Sequence, residues 1–505
     1  MPRRSVPPLF LALALVAPVW LASPAARASG APARSLSEAL NAIIASGDLG
    51  RAQLGIRVLE ADSGRVVFDH NPDLPLKPAS NAKILTSAAA LSLLRPEYVF
   101  TTDFSTLGRP ANGVVQGDLY ITGHGSPALS GEQWWLMARE IRARGVERVE
   151  GDLVGDDTYF DSRDRPEGWP PASEDAFYNA PVSALSADFN AVTIVVRPTS
   201  EGAAPDVFLT PFSSFFQVAN RAQTRGTRSN LRVGRQFDGE RNTIVVEGNI
   251  SGRSAPSVSY RSVEQPTMYA LAAFREAASK EGIVIQGINR RGQAPSAATK
   301  LYEHESRPLS DLVRTMNKLS NNYMAECFLK TLGAETSGPP GMTEKGAAAV
   351  VSFLEGLGAD TRGLVIADGS GLSHANRVTA AALTAVHLGM YRDFESYPEF
   401  MSSLAIGGVD GTLDRRMVGG PAQRRIRAKT GHLNGVSSLS GYAFTNQGRV
   451  LAFAILANTG RGADVWKVRR SIDKLCSAMV EARLPSAEAA TPSDHGRLKR
   501  PPSGL

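Results

Sequence analysis

Over residues 35–96 the apolar positions change period from one segment to the next. Leu36, Leu40, Ile43 and Ile44 recur at helical spacing behind Ser35 and Glu38, which have the order of a capping box. LGIRVLEADSGRVVFDHN then alternates in the manner of strands around Asp62-Ser63-Gly64 and predicts a hairpin. A polar loop, NPDLPLKPAS, gives way to ILTSAAALSLL, which is apolar on nearly every side and predicts a buried helix ending near Pro96.

The pattern changes between residues 97 and 304. Runs such as GDLYITG, VERVEGDLV, NAVTIVVRP, NTIVVEGNI and SVSYRSV read as strands, with one helix from Leu271 to Ala278. This segment of about 200 residues exceeds the usual size of one domain. It predicts two inserted β-rich domains, one from 97–190 with 265–304 and the other from 191–264. Helical spacing returns at 307–331, with Leu309, Leu312, Val313, Met316 and Leu319, and again at 343–357 and 378–391. RRIRAKTGH, SSLSGYAFT and RVLAFAILAN predict three successive strands, the last two joined by a turn at Asn446-Gln447-Gly448. A final helix over 464–483 repeats Val465, Val468, Ile472, Leu475, Met479 and Val480. Residues 29–96 and 305–484 are therefore expected to form one discontinuous domain of the α/β (α+β) class. Its sheet would lie between terminal helices and a helical cluster. The Pro/Ser/Ala-rich tail, 485–505, is expected to be disordered.

Composition adds compartment and excludes some chemistry. A basic start, an apolar run and Ala26-Arg27-Ala28 give residues 1–28 the order of a cleaved secretory signal. These residues carry Arg3, Arg4 and Arg27 and no acid, so their removal takes the formal charge from +6 to +3. That mild excess suits an anionic polymer or an ordinary surface equally, and it does not indicate nucleic acid. The reading is an exported chain with at most a peripheral attachment to a membrane. Cys327 and Cys476 fall on the apolar sides of two predicted helices and read as buried thiols. No Cys/His spacing suits a metal and no Gly-rich loop suits a phosphate, so no cofactor is expected.

Three short segments carry candidate chemistry. Ser80 and Lys83, three apart at a helix start, share one face near unpaired backbone N–H groups. Lys83 could take the Ser80 proton only as a neutral amine, which burial or a second cation such as Lys429 would favour. Which of Lys83 and Lys429 is the base stays open, with Lys83 favoured. In Ser320-Asn321-Asn322, Ser320 could relay a proton to a leaving amine and Asn322 could bind a substrate amide. In Lys429-Thr430-Gly431, Lys429 and Thr430 could hold a carboxylate and Gly431 could let substrate backbone approach the strand edge. The backbone N–H groups of Ser80 and His432 would form an oxyanion hole. Each segment alone is weak; a second Ser-x-x-Lys, Ser471 to Lys474, lies inside the last helix as a solvated face. No Gly-x-Ser-x-Gly elbow offers a Ser-His-Asp alternative.

The order Ser-x-x-Lys, Ser-x-Asn, Lys-Thr-Gly resembles that of penicillin-binding proteins and serine β-lactamases. The long insertion, with GDLYITGHGSPALS, GWPPASEDAFYNAPVSALSADFN, IADGSGLS, GGVDGTLDRR and KTGHLNGVSSLSGYAFT, resembles class C low-molecular-mass penicillin-binding proteins. These are the penicillin-binding protein 4 type of D-Ala-D-Ala carboxypeptidase/endopeptidase. The resemblance implies a β-lactamase/transpeptidase-like penicilloyl-serine transferase core. It implies peptidoglycan stem peptides as substrates in the periplasm, an acyl-enzyme on Ser80, and β-lactams as covalent inhibitors. It also implies a substrate-recognition acid at Asp156, with Asp157 as its neighbour and competitor, and substrate contacts by Phe160 and Asn434. One departure is His374, where the family often has Arg; Arg377 stands three residues on. Asp410 and Thr412 read as a structural loop beside the site. The rivals are a serine β-lactamase, which would release penicillin rapidly, and an inactive wall-binding scaffold.

Overall fold

The structure, a computed structural model, describes residues 35–46, 49, 51–211, 213–460 and 464–484. The expected signal at 1–28 and tail at 485–505 lie outside the described residues. A six-stranded antiparallel sheet organises the terminal segments. Its order is Ala405–Ile406, Ile426–Leu433, Val436–Phe444, Val450–Asn458, Gln53–Glu60, Val66–His70. Both faces are covered, and the strand Val450–Asn458 shows how. Leu451, Phe453, Ile455 and Ala457 enter one core with the helices Leu36–Ala45 and Val465–Glu481. The alternate Ala452, Ala454 and Leu456 enter the other, with the helices Ala82–Leu93, Leu309–Leu319, Asn322–Ser337 and Ala380–Arg392. A strand buried on both faces reads as an unbroken apolar run, which is why RVLAFAILAN lacks alternation. The capping box forms: Ser35 N donates to Glu38 Oε2 and Glu38 N to Ser35 Oγ.

The short strand Ala405–Ile406 pairs only with Ala428 and Arg427. Beyond Ala428, that edge of Ile426–Leu433 has no strand partner among the described residues. Ile426 accepts from Gly407 N on this side, so alternation turns the backbone groups of Thr430 and His432 toward the same open edge.

Two expectations about helices need correction. The stretch 307–331 is two helices, because Ser320 is left-handed (φ 57°) and Asn321 N-caps the second by accepting from Met324 N. Among the described residues the insertion holds two α-helices, not one: Pro266–Lys280 is longer than expected, and Gly131–Ala143 was not anticipated. The second had a legible signal in the Ser130/Gln133 capping box and in Trp134, Met137, Ala138 and Ile141 at helical spacing. The insertion's strands form a five-stranded sheet around Leu119–Gly123 and Leu153–Asp156, two three-stranded sheets, and a four-stranded sheet around Asn242–Ile250. Buried side chains from Phe104 to Ile285 join these sheets in one apolar cluster, which includes Val192, Ile194, Ile244 and Val246 from the segment 191–264. Cys327 and Cys476 are buried free thiols, one in each of the two cores that flank the six-stranded sheet. No described helix is long and apolar enough to cross a membrane.

Candidate active site

Ser80 lies in a single 3-10 turn, Ala79–Asn81, that runs into the helix Ala82–Leu93. Asn81 bolts this turn to the sheet. Its Nδ2 donates to Ser438 Oγ (2.7 Å) and its Oδ1 accepts from Ser440 Oγ (2.6 Å), while Ser438 Oγ donates to Pro78 O (2.6 Å). Gly431 completes the contact. A Cβ there would stand 2.2 Å from Ser438 Oγ and 2.6 Å from Pro78 O, so a side chain would displace the segment just before Ser80. The glycine is required by packing within the protein, whereas the sequence suggested approach by substrate.

Lys83, one turn on, is fully buried. Its Nζ lies 3.1 Å from Ser80 Oγ, 2.7 Å from Asn322 Oδ1 and 2.7 Å from Ser370 O. Burial lowers its pKa to about 7, against the pull of the Asp368 and Glu326 charges. As an ammonium it has three N–H bonds for three acceptors. As a neutral amine it has two, and the acceptor-only oxygens of Asn322 and Ser370 take both. The lone pair is then left for the one partner that can donate, Ser80.

Lys429, also fully buried, donates to Ser320 Oγ (2.8 Å) and Thr430 O (2.9 Å). Burial and then repulsion by Lys83 push its pKa well below the ordinary lysine value. The left-handed turn at Ser320 separates the motif's roles. Asn321 caps the helix, and Ser320 and Asn322 are freed to reach Lys429 and Lys83. One Asn322 Nδ2 hydrogen goes to Tyr178 O (3.0 Å), so its amide is a scaffold for Lys83 as well as a candidate substrate contact. Thr430 Oγ1 donates to Thr412 Oγ1 (2.7 Å), and Asp410 accepts from Lys318 Nζ (2.7 Å) and Ile406 N (2.8 Å), as suits a loop that supports the strand.

The remaining candidates are placed elsewhere or otherwise occupied. Asp156 is buried with Oδ1 accepting from Thr158 N and Oγ1 and Oδ2 accepting from Ala294 N (2.8 Å), all within the insertion. Asp157 faces Arg291 (2.7 Å), Ser183 and Thr267. Phe160 is buried in the helical core beneath Lys330, whose Nζ is 5.7 Å from the ring centroid. Both carboxylates are held by contacts within the insertion, and Phe160 packs as core. Asn434 is exposed in the tight turn between Ile426–Leu433 and Val436–Phe444, where Asn434-Gly435 is the residue pair such a turn favours. The His432 side chain is exposed, leaving its backbone N–H as its contribution to the edge. His374 Nδ1 lies 3.4 Å from Lys77 Nζ, and Arg377 donates to the carbonyls of His374 and Asn376 (2.8 Å each), so it braces its own loop.

Sequence reasoning missed the groups beneath Lys83. Glu326, one helical turn after Asn322, accepts from Gly369 N (3.1 Å) and Ser370 N (2.8 Å). Burial first, then the Asp368 charge, pushes its pKa up to about 8. Asp368 is fully buried and accepts four hydrogen bonds. An acid inside the apolar run AECFLKTL was the available signal for Glu326.

A family model for the D-Ala-D-Ala carboxypeptidase 3 (S13) family matches residues 36–479. The chain is 38% identical over 459 residues to a D-alanyl-D-alanine carboxypeptidase of Actinomadura sp. (strain R39), covering 87% of this chain and 84% of that one. It is 27% identical over 412 residues to the D-alanyl-D-alanine carboxypeptidase DacB of Haemophilus influenzae, covering 81% and 85%. Among solved structures, penicillin-binding protein 4 from Haemophilus influenzae superposes with a TM-score of 0.75 at 25% identity, covering 87% of this chain and 98% of that one. With a serine beside a buried lysine and these relatives, the chain belongs to the D-Ala-D-Ala carboxypeptidase 3 (S13) family of serine peptidases.

Proposed function

We propose that Ser80 is the acylated nucleophile and Lys83 its base. The observation that carries this is the buried Lys83 amine, 3.1 Å from Ser80 Oγ with a pKa near 7. Ser80 Oγ attacks the carbonyl between two D-alanines, and its proton passes to Lys83. The backbone N–H groups of Ser80 and His432 hold the oxyanion. Collapse breaks the amide bond. Ser320, which Lys429 positions, gives its proton to the leaving amine and is resupplied with the proton Lys83 took from Ser80. Water then attacks the acyl-enzyme, Lys83 accepts its proton, and Ser80 Oγ takes that proton back as the acyl bond breaks. An anionic substrate carboxylate near Lys429 and Thr430 would oppose the burial and Lys83 repulsion that lower the Lys429 pKa.

The substrates proposed are peptidoglycan stem peptides, with cross-link cleavage as a second activity of the same site and β-lactams as covalent inhibitors. A solved complex of the Haemophilus influenzae penicillin-binding protein 4 holds a β-lactam. Action on peptidoglycan accords with export to the periplasm, where the chain would attach to a membrane at most peripherally. The terminal segments are proposed as the catalytic domain, and 97–190 with 265–304 and 191–264 as the two inserted lobes. Mass spectrometry of a β-lactam-treated sample should find a stable adduct on the Ser80 peptide and none in Ser80→Ala. Release of D-Ala from a pentapeptide should vanish in the same variant. An adduct elsewhere, or activity kept by Ser80→Ala, would sink this reading.

A further inference from the structure

The Ser370 carbonyl is one of the two fixed acceptors that leave the Lys83 lone pair facing Ser80, so whatever fixes that carbonyl also aims the base. Ser370 sits in a loop gathered around Asp368. Oδ1 accepts from Gly371 N (2.6 Å) and Asn376 Nδ2 (2.9 Å), and Oδ2 accepts from Ser373 N (2.6 Å) and Trp169 Nε1 (2.8 Å). Glu326 holds the loop from below through Gly369 N and Ser370 N, and Thr86 Oγ1 donates to Gly369 O (2.8 Å). Every one of these groups except Trp169 belongs to the catalytic segments. Trp169 comes from the insertion, is 9% exposed, and follows Gly168, where a Cβ would stand 2.5 Å from Ser373 Oγ. The insertion is thus pressed onto the loop at two adjacent residues.

We infer that Trp169 is a positioning residue for the catalytic lysine: its indole N–H fixes the Asp368 carboxylate, and so the loop whose Ser370 carbonyl directs the Lys83 lone pair at Ser80. The inserted lobe then tunes the base from outside the catalytic domain. This rests on Lys83 acting as base. The charged groups that bear on Lys83 are Asp368, Glu326 and Lys429, and Trp169→Phe leaves all three ionisable groups in place, taking from Asp368 one of its four donors.

The test is Trp169→Phe, which keeps the aromatic packing and removes the donor, measured as acylation by a chromogenic β-lactam across pH. Loss of a firm acceptor beside Lys83 should lower the maximal acylation rate by about 10- to 100-fold, the scale set by misplacing a reacting group by about 1 Å. The concentration for half-maximal rate should stay within about twofold if binding is untouched. The acid limb should also move to lower pH, because an ammonium that loses an acceptor gives up its proton more readily. A general loss of folded protein would lower the rate without moving the limb. An unchanged rate and limb, or a loss confined to half-saturation, would overturn the inference; the latter would make Trp169 a substrate contact. Asp368→Asn, which cannot accept all four bonds, should lower the rate further; its limb also moves to lower pH because a charge that raises the Lys83 pKa is gone, so only its rate bears on positioning. If Lys83→Met keeps full acylation, the reading of the base has failed; if it abolishes acylation while Trp169→Phe is silent, only the positioning role has.

Discussion

Lys83 and Lys330 are both closed off from solvent, Lys83 beside Ser80 and Lys330 where the insertion meets the helix Asn322–Ser337. Lys330 donates to Asp161 Oδ1 at 2.5 Å and to Arg163 O at 2.6 Å, both from the insertion. Lys83 touches only neutral oxygens, and its nearest carboxylates, Asp368 and Glu326, spend their lone pairs on loop N–H groups. Depth is the same and partners differ. A buried amine paired directly with a carboxylate ties two elements together. A buried amine given only neutral acceptors can let its proton go, and the fold must supply the stability this arrangement lacks.

Exchanging each lysine for methionine should separate the two roles. Lys83→Met should cut acylation of Ser80 by about 10²- to 10⁴-fold, the range for a lost general base. Its stability should hold or rise by about 1–4 kcal/mol, as for other buried charges replaced by apolar side chains. The sign follows from linkage. The folded pKa is about 7 against an ordinary 10.5, so between these values the unfolded chain binds more protons and stability rises with pH. Below pH 7 the full cost of burial is present. Lys330→Met should do the reverse. It strands Asp161 and should cost about 3 kcal/mol in urea unfolding, while acylation per folded molecule stays within about twofold. Equal effects of the two substitutions on activity would break the comparison.

The pH profile sharpens it further. Acylation kcat/KM should rise about tenfold per pH unit on its acid side and level off near pH 7, where Lys83 becomes neutral. Gly431→Ala should lower acylation by about 10-fold or more by moving the Pro78–Ser80 segment. Ser438→Ala in the same chain should restore only part, since the Pro78 carbonyl still stands 2.6 Å from the added carbon. The smallest effect concerns the thiols: a reducing agent should leave Tm unmoved, because Cys327 and Cys476 lie in cores on opposite faces of the sheet.

Much of the terminal segments was legible because period and burial coincide there. The terminal helices, the hairpin around Gly64 and the strands from Ile426 to Asn458 all follow from local spacing. Ser80, Lys83, Ser320 and Lys429 were legible as residue types in order, and the structure joins them in the two pairs Ser80–Lys83 and Ser320–Lys429. Asp156 and Phe160 were suggested only by resemblance, and local contacts account for both. Glu326, Asp368 and Trp169 were missed for a physical reason. Their significance lies in hydrogen bonds between residues 43 to 199 positions apart, and no spacing rule reaches that far. The break at Ser320 was hidden because apolar periodicity continues from Met316 to Tyr323 across a single left-handed residue.

The unpaired stretch of Ile426–Leu433 past Ala428 presents main-chain donors and acceptors in a fixed direction. A peptide laid there as an added strand would be gripped by its own amides, with its side chains projecting to either face. Recognition of such a strand would act on chain direction before side-chain identity, and so would allow variation along the peptide.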